Sequence, residues 1–227
     1  TGLHQHTGNW PGKTVTRAEG SYSHRGDKFK IIDLPGTYSL LSTSEDEEVA
    51  RDFILFGQPD VTVIIVDASR LQRNFSLVLQ ILEISNKAVL CLNLMDEARR
   101  HRIEIDARTL SKDLGIPVIA TSARTKEGLS DLLAAIHQVA DGSFLPAKMT
   151  SFQLTKQTGT AVATIANHLD TLDSKLTNTN WLAMRLIEDD KSIIDALQKG
   201  QLSNSINSEQ ASIPTGNLNV PLQCSIV

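Results

Sequence analysis

Three short motifs carry the residues best suited to chemistry. The first is Asp33-Leu34-Pro35-Gly36. A carboxylate at the end of an apolar run, followed by a Pro-Gly turn, sits where open α/β sheets bind ligands. Asp33 can hold Mg²⁺ through water, and Gly36 can offer an unhindered backbone N–H to a phosphate. Alone, this pattern is equally a strand-ending turn. The second, Asn93-Leu94-Met95-Asp96, follows about 60 residues later and also ends an apolar run. The Asp96 carboxylate can accept two N–H donors from a guanine edge, and Asn93 can tie neighbouring loops together. The third, Thr121-Ser122-Ala123, ends the next run, where a backbone N–H can meet a guanine oxygen. Three ordered motifs at three strand ends point to a guanine-nucleotide site.

Those motifs need a sheet to position them. Lys28–Asp33, Val61–Asp67, Ala88–Asn93 and Ile116–Ser122 read as strands. Their continuous apolar character is that of parallel strands covered on both faces. Arg17–His24 can pair with Lys28–Asp33 through Arg25-Gly26-Asp27, as the one antiparallel hairpin. Helical spacing falls between the strands, in Val49–Phe56 behind a Ser44/Glu47 capping box, Leu71–Ile84, Asp106–Leu114 and Glu127–Val139. The alternation predicts an α/β fold, a doubly wound and mostly parallel sheet with a small helical domain.

The expected division is a sheet domain over 1–142, a helical domain over 150–200, a linker or disordered stretch over 201–218, and a last apolar segment, 219–227 (NVPLQCSIV). The helical domain is expected to core on Trp181, Leu182 and Leu186. Formal net charge is -4, which argues against a nucleic-acid partner. No apolar run reaches the roughly 18 residues of a membrane helix, and no secretory signal opens the chain. Cys91 and Cys224 have no metal spacing and no disulfide framework. Cys91, inside an apolar run, reads as a buried reduced thiol. His4 and His6 lack a third ligand and read as a polar helix end; Arg99–Arg102 reads as a solvated helix end.

A further segment is Gly8-Asn9-Trp10-Pro11-Gly12-Lys13-Thr14-Val15, a Gly/Pro loop with an aromatic expected to be exposed. Thr14 can close on Mg²⁺ and a γ-phosphate. G-N-W-P-G-x-T-V, then D-L-P-G-T-Y-S-L, S-x-D-E-x-V-A-R-D-F and N-L-x-D-E-A together resemble the cytosolic GTPase domain of the FeoB family of prokaryotic ferrous-iron transport proteins. The likeness covers about residues 1–139. The segment Asn180–Leu186 resembles, more loosely, that family's helical nucleotide-release-controlling domain.

The resemblance implies a GTPase using GTP/GDP and Mg²⁺, with potassium as an assisting ion. Thr14 and Gly36 would serve the γ-phosphate, and Thr14 and Asp33 the Mg²⁺. Asn93, Asp96, Ser122 and Ala123 would hold the base, with Trp10 and Gly12 in the nucleotide-binding first switch, residues 8–14. Residues 36–48 would be the second switch. Thr37 stands where Ras-like enzymes keep a glutamine, which implies slow hydrolysis resting on backbone groups. The implied partners are guanine nucleotide, a transmembrane iron-permease domain of the same protein and further copies of the chain. The implied location is the cytoplasmic face of the prokaryotic inner membrane. Rival readings are a soluble ribosome-assembly GTPase and a binding module that no longer takes nucleotide.

One departure stands out. The phosphate-cradling pattern G-x-x-x-x-G-K-[ST] is absent from these 227 residues. Gly12-Lys13-Thr14 lacks the glycine five places earlier, where Thr7 stands. In the family that loop precedes a T-G-L-x-Q segment, which here is residues 1–5. The NVPLQCSIV segment resembles the strand that leads into the loop. The expectation is therefore a permuted order, with 219–227 as the first strand of the sheet; the alternative is a truncated domain. On the favoured expectation, 219–227 pairs in parallel beside Lys28–Asp33 or Val61–Asp67.

Overall fold

A computed structural model describes residues 6–10, 14–41, 44–144, 154–172, 176, 178–198 and 222–227. The elements in chain order are β1 (His6–Asn9), β2 (Thr16–His24), β3 (Asp27–Asp33), α1 (Glu45–Phe56), β4 (Val61–Asp67), α2 (Leu71–Ile84), β5 (Ala88–Asn93), α3 (Met95–Arg100), α4 (Ala107–Leu114), β6 (Val118–Ala120), α5 (Leu129–Ala140), α6 (Lys156–Leu172), α7 (Thr179–Ile187), α8 (Lys191–Gln198) and β7 (Leu222–Ile226). Two compact units contain them. One holds the sheet and its helices; the other holds α6–α8 together with Leu55–Gln58. The expected helical domain did not include 55–58, because chain order gives no hint that this short stretch groups with helices a hundred residues away.

The sheet has seven strands in the order β1-β2-β3-β7-β4-β5-β6. Pairing is parallel from β3 across to β6. The C-terminal strand is a central one. It lies parallel to β3, with Ile31 opposite Cys224 and Asp33 opposite Ile226, and parallel to β4, with Val61 opposite Cys224.

Apolar runs form these strands because both faces of the sheet are covered. On one face Phe29, Val61, Val63, Val89, Cys91 and Cys224 pack with Ala135, Ile136 and Val139 of α5. The intervening residues Ile64, Leu90 and Leu92 are fully buried on the other, and α2, beside β4, buries Leu77, Val78 and Ile81. Two polar side chains reach the centre of the sheet and satisfy each other: Ser225 Oγ donates to Thr62 Oγ1 at 3.0 Å. In the helical unit, Val162, Ala166 and Ala183 form a small core with Ile165 and Met184. Trp181 and Leu182 are buried there, and Leu186 is half-buried.

Two expectations are corrected. The hairpin of β2 and β3 is not the only antiparallel pairing, because β1 adds to β2 with Thr7 opposite Ala18 and Asn9 opposite Thr16. His6 accordingly opens a strand rather than ending a helix. The segment HTGN has no apolar pattern to betray this edge strand, which pairs with β2 through its backbone. The 201–218 linker lies outside the described residues.

Candidate functional site

Three of the anticipated motifs meet at the C-terminal edge of the parallel strands. Asn93 ends β5, and the chain turns at Leu94, whose φ of 62° is left-handed. That turn starts α3 and places Asp96 in its first turn. The backbone N–H of Met95 donates to Thr121 O at 3.1 Å, joining the β5 and β6 edges.

The loop after β6 is closed by a pairing of Ser122 with Glu127. Gly128 makes the closure possible. Its φ is +73°, and a Cβ there would stand 2.1 Å from the carbonyl oxygen of Ala120. Asn93 Oδ1 accepts the backbone N–H of Ala123 at 3.1 Å and lies 3.4 Å from Thr121 Oγ1. Asn93 thus bonds the β5 edge to the loop.

Asp96 is the centre of charge. Its Oδ1 accepts from Ser122 Oγ at 3.0 Å, and its Oδ2 from Arg124 Nε and Nη2 at 3.1 and 2.7 Å. The bonds from Arg124 and Ser122 hold its carboxyl below the usual range, so it is ionised at neutral pH. Beside it, Arg99 of α3 makes a two-bond pair with Glu127, at 2.9 and 2.5 Å. Neither Arg124 nor the Arg99–Glu127 clasp was singled out by sequence, since an arginine in a polar loop carries no signal until the loop closes.

The other side of the edge is built from β3 and β7. Leu34 N–H donates to Ile226 O at 2.9 Å, and Ile65 N–H donates to Val227 O at 2.9 Å. Asp33 therefore ends its strand level with the last residues of β7. Partial burial raises its carboxyl above the ordinary value. Gly36 faces open space. Thr37 bonds locally, its hydroxyl accepting from Ser39 N–H at 3.1 Å. Leu40 N–H and Ser39 Oγ donate to Gln80 Oε1 of α2 at 2.7 and 3.3 Å.

The first loop departs most from expectation. Trp10 is not exposed: it is 6% exposed, its ring meeting Phe53 of α1 edge-on at 5.4 Å, with the Arg17 guanidinium 4.7 Å above it. An apolar partner 43 residues away draws the indole inward. Thr14 Oγ1 donates to Glu45 Oε2, at the start of α1, over 2.7 Å. Gly12 lies outside the described residues.

Mg²⁺ commonly takes one or two protein oxygens plus phosphate and water. Asp33 fits that role by its place at the strand end. Thr14 fits it only after leaving Glu45. Among the described residues, no group of three His, Cys, Asp or Glu side chains converges as a metal site.

A family model described as ferrous iron transport protein B matches residues 1–136. The Fe(2+) transporter FeoB of Salmonella choleraesuis strain SC-B67 is 32% identical over 215 residues, covering 93% of this chain and 27% of that protein. The chain thus spans about a quarter of the length of such curated relatives. Among solved structures, the cytosolic domain of T. maritima FeoB in a GDP form aligns with a TM-score of 0.77 at 32% identity, covering 89% of this chain and 78% of that one. The cytosolic domain of L. pneumophila FeoB aligns with a TM-score of 0.77 at 28% identity, covering 92% and 81%.

Proposed function

The chain belongs to the ferrous iron transport protein B family, and from that premise we propose that it binds and hydrolyses GTP to regulate ferrous-iron uptake. The observation that carries this reading is the convergence of Asp33, Asn93, Asp96, Ser122 and Ala123 on one edge of one mostly parallel sheet. In the reading, Asp96 accepts the two N–H groups of guanine. Asn93 braces the loop whose Ser122–Ala123 backbone lies against the base.

The reaction is attack of water on the γ-phosphorus. An O–P bond forms from water, the bond from phosphorus to the β–γ bridging oxygen breaks, and GDP and inorganic phosphate leave. Gly36, where a Cβ would meet only open space, is in this reading the residue whose N–H donates to a γ-phosphate oxygen. Thr14 leaves Glu45 to close over the same phosphate. Asp33 and Thr14 would hold Mg²⁺, which would supply neutralisation of the charge that develops during phosphoryl transfer. Trp10, packed on α1, anchors the first switch rather than touching nucleotide. Potassium as an assisting ion belongs to the same proposal.

The partner is a transmembrane permease domain, the size of the curated relatives leaving room for one, and the chain sits at the cytoplasmic face of the inner membrane. No described helix of this chain is long and apolar enough to cross a membrane. A second reading, a regulatory module that takes no nucleotide, is favoured by the absent G-x-x-x-x-G-K-[ST] pattern.

Titration separates the two readings, because a module of the second kind binds neither GDP nor GTP. The base assignment is tested by Asp96→Asn. An amide puts a donor where guanine needs an acceptor, so preference should move from guanine toward xanthine nucleotides. Unchanged GDP affinity in that variant would refute the assignment.

A further inference from the structure

Asp96 is occupied by the protein itself. Arg124 presents Nε–H and Nη2–H side by side to Oδ2, at 3.1 and 2.7 Å, while Ser122 Oγ fills Oδ1 at 3.0 Å. Guanine offers a carboxylate the same pattern, two adjacent N–H donors on one edge. A carboxylate oxygen has about two lone-pair sites, so the two arginine hydrogens saturate Oδ2. We propose that Arg124 is an internal competitor for the guanine edge: it occupies Asp96 when the site is empty and must leave before the base is read. The inference rests on the reading of Asp96 as the base-reading group.

The surroundings let the side chain leave without the loop. Arg124 is 70% exposed, against 16% for Asp96. Rotation about its own bonds therefore carries the guanidinium into solvent. The loop stays closed through other contacts: Ser122 N–H to Glu127 O at 3.0 Å, Ala123 N–H to Asn93 Oδ1 at 3.1 Å, and the Arg99–Glu127 clasp. Arg99 is committed to Glu127, so no other described arginine takes the place at Asp96. Glu97, a further acid, favours the arginine's charge but is paired with Arg100 at 3.0 Å.

The competitor must be weak to be useful. An exposed ion pair shifts its own equilibrium by roughly 2- to 5-fold. Apparent affinity is the intrinsic affinity scaled by the fraction of sites that are open. Removing Arg124 should therefore tighten guanine binding by one plus that ratio, about 3- to 6-fold. Because a charge pair is screened and a neutral base edge is not, the gain should shrink with salt.

The test is fluorescence titration of N-methylanthraniloyl-GDP against the parent chain, Arg124→Ala, Arg124→Gln and Asp96→Asn, at about 0.05 and 0.5 M NaCl, with circular dichroism confirming each fold. Tighter binding of both Arg124 variants at low salt, with the gap closing at high salt, supports the competitor. Equal or weaker binding by both, while Asp96→Asn loses GDP, overturns the competitor and leaves the base reading standing. GDP binding unaltered in Asp96→Asn, or absent from every protein at millimolar nucleotide, overturns the base reading and the competitor with it.

Discussion

Gly128 is where backbone geometry bears most directly on the loop that follows β6. In Gly128→Ala two penalties add. The residue's φ of +73° is left-handed, which costs an L-residue about 1–2 kcal/mol. The new Cβ would also stand 2.1 Å from Ala120 O, 3.2 Å from Ala120 C and 3.3 Å from Thr121 Cα. All three are backbone atoms, so no side chain can rotate aside. The β6 end or the start of α5 must shift, at a cost of about 1–3 kcal/mol. The sum, about 2–5 kcal/mol, is a large part of a typical domain stability of about 5–15 kcal/mol. Gly142 supplies the control. Its φ is +74°, yet a Cβ there meets nothing within 4 Å. Gly142→Ala should cost only the first penalty, about 1–2 kcal/mol. Urea unfolding followed by circular dichroism measures both. The reasoning is refuted if the two variants lose the same stability, or if Gly128→Ala lies within about 0.5 kcal/mol of the parent.

Trp10→Ala should cost about 3–5 kcal/mol, as expected when a buried large aromatic is removed, and Trp10→Phe much less, since Phe keeps an edge for Phe53; chemical denaturation of both variants checks this. The buried thiols should be inert in the native protein: burial raises both, Cys224 to about 12. An aromatic disulfide reagent at pH 8 should therefore label neither Cys91 nor Cys224 until denaturant is added, and immediate labelling of either would contradict the burial.

What could be read from sequence followed the physics of each segment. β4 and β5 are short uninterrupted apolar runs, and only coverage on both faces makes such a run stable, so they were legible as central strands. The motifs at strand ends were legible for a related reason: polar Asn93 ends β5 and Asp33 ends β3, where burial stops. β6, Val118–Ala120, starts later and ends sooner than Ile116–Ser122, and at its end Thr121 and Ser122 leave the strand as the loop closes through Ser122 and Glu127. β1 was not legible, being polar and held through its backbone. Trp10 was misplaced because Gly and Pro neighbours signal a loop, while the ring that buries it is distant in sequence. The Thr14–Glu45 bond and the Arg124–Asp96 pair depend on loop closures that no spacing rule encodes.

β7 shows how much one late segment can decide. It is the only described link, strand to strand, between β1-β2-β3 and β4-β5-β6. Adjacent strands lie about 4.8 Å apart, so removing β7 opens a gap of roughly 10 Å that β3 and β4 cannot bridge by direct pairing. Deleting residues 222–227 would strip partners from Leu34 N–H, Ile65 N–H and Val63 O, and from the buried hydroxyl of Thr62. Buried polar groups left so cost about 1–3 kcal/mol each. Four of them, with the burial of Cys224 also lost, reach the whole stability of an ordinary domain. The truncated chain should therefore lose cooperative unfolding and bind a hydrophobic dye. A synthetic peptide of residues 219–227, added in excess, should restore amide protection in β3 and β4, because the slot it fills has a defined register: Ile31 opposite Cys224 on one side and Val61 opposite Cys224 on the other. Retention of a cooperative transition with an unchanged midpoint would mean that the two halves of the sheet hold together through the α5 core alone.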